Sequence, residues 1–147
     1  MEKIVDVLAR KYPQFNTVIP DCFVSDALYQ MRCENVDYLI VLEEEKFQGV
    51  ISDHEIAGRI LFEDRPLNKI QVKEFMSRTL PVATPEATVA QCLKVMDRHH
   101  VHHLAIYDQF DFRGVISASE LVHEALADDN VSFQEMEPKR QGYPWNY

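Results

Sequence analysis

Cysteine, glycine and basic residues are scarce in this chain, and no long apolar run occurs in it. The three cysteines, Cys22, Cys33 and Cys92, are an odd set without a C-x-x-C pair. That argues against a disulfide framework and against a zinc knuckle, and it points to a reducing compartment. With four glycines in 147 residues there is no phosphate-cradling Walker loop, no dinucleotide fingerprint and no G-x-S-x-G elbow, and H-E-x-x-H is missing as well. Nothing supplies a nucleophile, a base and an orienting group together, so an enzyme is not expected. Cys92 lies on the apolar side of its segment and reads as a small core residue.

The longest strongly apolar run covers residues 38–42, far short of the roughly 20 needed to cross a bilayer. Residues 1–14 mix charged with apolar side chains and lack the continuous stretch of a secretory signal, so a cytoplasmic location is expected. Fifteen basic residues face 24 acidic ones, a formal net charge of −9. A surface of that sign repels phosphate backbones and anionic lipid, so neither nucleic acid nor membrane is an expected partner.

What the chain does contain is enough to fold. Apolar residues make up 46% and charged residues 27%, and a chain of this length removes about 70% of its unfolded surface from water. Its organisation comes from an internal repeat. At one fixed offset, 117 − 52 = 65, Pro20 falls on Pro85, Leu28 on Leu93, Met31 on Met96, Leu39 on Leu104 and Phe47 on Phe112. Gly49-Val50-Ile51-Ser52 then falls on Gly114-Val115-Ile116-Ser117, and Glu55 on Glu120, with no gap. One register held over so long a stretch implies duplication.

Each copy reads as β-α-β-β-α. Leu28 and Met31 in one copy, and Val89, Cys92, Leu93 and Met96 in the other, recur at helical spacing. Residues 36–42 and 101–107 are β-branched and aromatic runs, followed by short strands at 47–51 and 112–116. Ser-x-x-Glu then opens a second helix in each copy, at 53–62 and 118–127. Ahead of the copies, residues 1–11 suggest a helix with Ile4, Val5 and Leu8 on one side. Residues 128–147, with Pro138, Gly142 and Pro144 among Tyr143, Trp145 and Tyr147, suggest an irregular surface tail, or else an aromatic anchor for a partner subunit.

The segment His100-Val101-His102-His103-Leu104-Ala105-Ile106-Tyr107-Asp108, followed by Gly114-Val115-Ile116-Ser117-Ala118-Ser119-Glu120-Leu121, resembles the second half of a CBS domain. The first copy carries the same signature at 35–41 and 49–56, and Phe75-Met76-Ser77 ahead of Pro85 and Thr88-Val89 resembles the family's opening segment. The resemblance implies an α/β (α+β) fold of tandem CBS domains, in which two β-α-β-β-α repeats pack through their sheets with pseudo-twofold symmetry. The expected layout is a leading helix at 1–11, CBS domain 1 at 12–64, a linker at 65–74, CBS domain 2 at 75–127 and the tail at 128–147.

The resemblance also implies a regulatory module that binds an adenosine derivative between the repeats, with AMP, ADP, ATP and S-adenosylmethionine as candidate ligands and no required cofactor. In the family the hydroxyl of a G-x-x-[ST]-x-x-D pattern caps the second helix and meets the ligand, and the Asp holds the ribose hydroxyls. Here the hydroxyl is kept at Ser52 and Ser117, but the acid is Glu55 and Glu120. Ser-x-x-Glu is also a capping box, and a Glu turned inward to close it is not free for ribose. His102 and His103 stand where many members place a phosphate-binding His-Arg pair, while the first copy offers Asp37 and Tyr38, and Arg78 and Arg98 are further candidates for phosphate. The base is expected against Phe15-Asn16-Thr17 in one cleft and Leu80-Pro81-Val82 in the other. At most one good nucleotide site per chain is expected, with affinity rising as the histidines become protonated.

The cluster at residues 99–103 invites a metal. Strand alternation, however, sends His102 and His103 to opposite faces, and no Cys or carboxylate stands at metal spacing, so a specific metal site is not expected. Family pairs meet through their helices, which implies a homodimer and an unidentified regulated protein. The competing reading is a ligand-free dimeric scaffold for protein interaction.

Overall fold

The computed structural model describes residues 2–11 and 16–129. Its elements in chain order are α1 (Ile4–Arg10), β1 (Thr17–Val18), α2 (Val24–Glu34), β2 (Tyr38–Glu43), β3 (Lys46–Ser52), α3 (Asp53–Ile60), a 3-10 turn (Leu67–Lys69), α4 (Val72–Phe75), β4 (Val82–Ala83), α5 (Val89–His99), β5 (His103–Asp108), β6 (Asp111–Ser117) and α6 (Ala118–Asp129).

Two three-stranded sheets result, ordered β1-β2-β3 and β4-β5-β6. In each, a short parallel lead-in strand flanks an antiparallel hairpin. The duplication reaches the level of register. Tyr38 pairs with Ser52 as His103 pairs with Ser117, and a bulge falls between Val41 and Leu42 in one hairpin and between Ile106 and Tyr107 in the other. Glu44, Glu45 and Gln109, at the hairpin turns, take positive φ, which polar residues tolerate in tight turns. Helices α2 and α5 both end on a left-handed residue, Asn35 and His100, which satisfies the last carbonyls.

Three apolar clusters hold these layers together. The first joins α2 (Val24, Ala27, Met31) to Leu39, Val41 and Ile51, and the second joins α5 (Cys92, Met96) to Leu104, Ile106 and Ile116. The third lies between the sheets, where Tyr38, Ile40, Val50 and Val115 are buried. There Phe47 stacks on its own repeat equivalent, Phe112, at 4.5 Å between ring centroids.

Each helix ahead of a repeat packs on the other repeat. Helix α1 inserts Ile4 and Val7 into the second cluster, beside Leu121, and its first amide donates to the Ala87 carbonyl at 2.8 Å. Ile70, Val72, Phe75 and Met76 belong to the first cluster, and Val72 donates to the Cys22 carbonyl at 2.7 Å. The stretch expected as a linker is therefore a core element of the first repeat, and Phe75 and Met76 pack there as well. Val5, expected on the inner side of α1, is 43% exposed, and Val7 is buried in its place. The expected apolar stripes of α2 and α5 are covered by their own sheets: Met31 and Met96 are buried, and Leu28 and Leu93 are half-buried against the same clusters.

One position shows why the lead-in segment is fixed. Val50 and Ser77 exchange backbone hydrogen bonds at 3.0 and 2.8 Å. A Cβ at Gly49 would stand 2.3 Å from the Ser77 carbonyl oxygen, so only glycine permits that approach. No helix among the described residues is long and apolar enough to cross a membrane.

Candidate functional site

The exchange of α1 and α4, together with the sheet-on-sheet interface, brings the start of each repeat's second helix beside the other repeat. Cleft 1, with a volume of about 630 Å³, combines Asn16, Met31, Val36, Asp37 and Tyr38 of the first copy with Ser117 and Glu120 of the second, and adds Lys11 and Arg32. Its pseudo-symmetric counterpart, cleft 2, is only about 100 Å³ and gathers Ser52, Glu55, Leu80, His102 and His103. Between them lies a recess of about 200 Å³ lined by Asp37, Ser52, Asp53, His54, His102, His103, Ser117 and Ser119. It shares Asp37, Ser117 and Ser119 with cleft 1.

The structure thus divides the expected site residues. Asn16, Ser117 and Glu120 line cleft 1, whereas Leu80, Ser52, Glu55, His102 and His103 line cleft 2. Thr17, Pro81 and Val82 line neither cleft, because Thr17 pairs with Ile40 and Val82 with Ala105 as the lead-in strands, and the Val82 side chain is 57% exposed. Phe15 and residues 130–147 of the tail lie outside the described residues. Arg78 and Arg98 line none of the three spaces.

The two helix starts are built alike but not equally. Asp53 donates its amide to the Asp37 carbonyl at 3.1 Å, and Ala118 donates to the His102 carbonyl at 2.8 Å. Ser52 Oγ accepts from the Glu55 amide and Ser117 Oγ from the Glu120 amide, both at 3.1 Å. Glu120 also closes its box, since its Oε1 accepts from the Ser117 amide at 2.8 Å. Among the described residues Glu55 makes no return bond from its carboxylate. The capping alternative holds in full for Glu120 and only through the serine hydroxyl for Glu55.

A cause of this asymmetry stands next to Glu120. Tyr38 donates its hydroxyl to Glu120 Oε1 at 2.9 Å. Lys11 Nζ lies 3.3 Å from Glu120 Oε2, donates to the Val115 carbonyl at 2.6 Å and donates to the Tyr38 hydroxyl as well. Burial pushes the Lys11 ammonium below the usual lysine range, with Glu120 opposing the shift. Burial, and then the Glu120 charge, push the Tyr38 phenol well above its usual value. Sequence reasoning missed Lys11, because it lies ahead of the stretch read as the first domain and in no recognisable spacing with Glu120.

On the second side, His103 takes the place of Tyr38, and the two rings touch with centroids 4.8 Å apart. Burial first, and then His102, lower the His103 imidazole to about 4. It is a neutral group near pH 7, so the expected gain of affinity on protonation does not include it. His102 lies just ahead of β5, where strand alternation does not apply; it lines the same two spaces as His103, contrary to the expected opposite faces, and packs edge-on against His54 at 4.8 Å. Among the described residues no group of three or more His, Cys, Asp or Glu is placed to hold a metal ion. Burial, and then Asp53, raise the Asp37 carboxyl.

A family model for the CBS domain matches residues 5–61 and 72–127. The chain is 26% identical over 118 residues to the CBS domain-containing protein YhcV of Bacillus subtilis, covering 80% of this chain and 84% of that one. Among solved structures it resembles a putative signal-transduction protein with CBS domains from Burkholderia ambifaria, with a TM-score of 0.80 and 23% identity over 89% of this chain and 98% of that one. It also resembles the CBS domain pair of protein MJ0100 in complex with 5′-methylthioadenosine and S-adenosylmethionine, with a TM-score of 0.71 and 17% identity over 87% and 98%. At those identities the two structures speak for the fold. The two matched stretches coincide with the two repeats and the helices that precede them, and the chain belongs to the CBS domain family as a tandem pair.

Proposed function

We propose that this pair is a regulatory module that binds an adenosine derivative in cleft 1 and reports its presence to a partner protein. The observation that carries the reading is the volume of cleft 1, about 630 Å³, inside the range of 300–1,000 Å³ typical of small-molecule sites. Met31 and Val36 offer apolar walls for a base, Asn16 and Asp37 offer polar edges, and Glu120, which the family resemblance reads as the ribose acid, lines the same cleft. The ligand's 5′ end then runs past Ser117 and Ser119 into the central recess, toward His102 and the starts of α3 and α6. The second amides of those helices, at His54 and Ser119, are not claimed by the capping bonds described above and favour an oxygen ligand.

Charge in the recess selects among the candidates. Asp37 and Asp53 both line it. A unit charge about 6 Å from a carboxylate is repelled by about 3 kcal/mol at an effective dielectric of about 20. Each helix dipole returns only about 0.3–1 kcal/mol. Even with solvent screening the carboxylates win, so adenosine, AMP and S-adenosylmethionine are favoured over ADP and ATP. The MJ0100 pair, with its sulfonium and thioether ligands, makes the uncharged and cationic candidates reasonable ones to test.

The experiment is a melting series with each compound at equal concentration. A ligand at 100 times its dissociation constant adds about 2.7 kcal/mol. AMP or S-adenosylmethionine is expected to raise the melting temperature more than ATP. The largest shift with ATP would overturn the charge argument. The competing reading, a ligand-free dimeric scaffold, draws on the filled state of Glu120, and it predicts no shift with any of them.

A further inference from the structure

Lys11 and Met76 are equivalent in the repeat, since 76 − 11 = 65, and both follow directly on the last residue of their helix with extended backbone. Met76 is a buried core side chain. Lys11 instead reaches across to the second copy, where its side chain is 9% exposed and lies against Glu120. Two differences separate the acids of the two clefts, Lys11 against Met76 and Tyr38 against His103: Glu120 already holds an ammonium and a phenol, while among the described residues the Glu55 carboxylate holds nothing.

We propose that Lys11 is a built-in competitor that occupies the ribose-binding face of Glu120 and so sets the affinity of cleft 1 for a ligand bearing a vicinal diol. The inference rests on the reading of cleft 1 as an adenosine site. Two hydroxyls approaching Glu120 Oε2 compete for the lone pairs that Lys11 now uses, and a nearly buried ammonium cannot give up its carboxylate without finding other partners. Lys11 retains the Val115 carbonyl and the Tyr38 hydroxyl as such partners, so the exchange is uphill but open. Because Lys11 directly follows α1, which is anchored in the second core, occupancy of the cleft is thereby tied to the leading helix.

The test is a calorimetric titration of the whole chain and of Lys11→Met with adenosine and with 2′,3′-dideoxyadenosine. Lys11→Met copies the residue that the other repeat carries, and Lys11→Gln, which keeps a donor for the Val115 carbonyl, serves if Met is poorly tolerated. The expected result is that either variant binds adenosine roughly tenfold more tightly than the parent, the order of one lost charge-assisted hydrogen bond, with no gain for the dideoxy compound. Equal gains for both compounds would overturn the competition, since they would reflect a reshaped cleft rather than a freed acid. Unchanged or weaker adenosine binding in the variants, with binding retained in the parent, would overturn it too and leave the adenosine site standing. No binding of adenosine by parent or variants would bring down the reading of cleft 1, and the competitor with it.

Discussion

His103 and Tyr38 occupy equivalent positions on β5 and β2, and their rings touch across the pseudo-twofold axis. Their chemistry nevertheless differs. Tyr38 donates to Glu120, whereas His103 is half-buried as a neutral base with its imidazole lowered to about 4. In the unfolded chain the same group takes up a proton near 6.5. Between those values the unfolded state binds more protons, so stability falls as the pH is lowered through that window. The full effect, reached below pH 4, is at most about 3 kcal/mol, from a difference of about 2.5 pH units. Urea denaturation at pH 7 and pH 4.5 is expected to show this loss in the parent and a flatter dependence in His103→Phe. An equal loss in both would mean that another group titrates. Sequence reading identified His103 as a site residue but assigned it a proton, because burial between two sheets cannot be read from a strand in isolation.

Among the elements, α2 and α5 were fully legible: their apolar positions recur at helical spacing and fall on the sheets as that spacing requires. The starts of α3 and α6 were legible too, each marked by its serine cap. Helix α1 was legible as a helix but not in its orientation, since Ile4, Val5 and Leu8 form as plausible a stripe as Ile4 and Val7, and only the second core decides between them. The exchange of α1 and α4 between repeats leaves no local trace, because each packs on residues distant in the chain. Elements also bear on assembly. With the stripes of α2 and α5 largely covered, the exposed apolar side chains include a group at the second helices, Ile60 at the end of α3, Leu61 and Phe62 just after it, and Val122 and Leu126 on α6, besides separate ones such as Ile19, Tyr29 and Phe110. Phe62, 89% exposed, is costly to leave in water. We propose a homodimer formed through these helices. Sedimentation is expected to give a dimer at tens of micromolar protein and a monomer for Phe62→Asp. A monomeric parent would rule the dimer out.

At the scale of the whole molecule, duplication has made a symmetric frame that carries two unequal clefts. The frame was legible because the repeat holds one register, down to the matching bulges. That the clefts differ was legible in Asp37-Tyr38 against His102-His103; the way they differ was not, since it depends on Lys11, Tyr38 and Glu120 meeting from three distant parts of the chain. Volume and polar groups both distinguish the clefts: the large cleft has its acid engaged, and in the small cleft, among the described residues, the Glu55 carboxylate makes no bond. A nucleoside cannot enter about 100 Å³ without rearrangement. The most direct measurement is therefore chemical-shift mapping of labelled protein during titration with AMP. The account predicts that the largest changes fall on the Asn16 side-chain amide, the Met31 methyl and the amides of Val36 and Ser119. Changes centred instead on Leu80, Val101 and Glu55 would place the ligand in cleft 2, and the absence of any change at saturating AMP would contradict the adenosine site altogether.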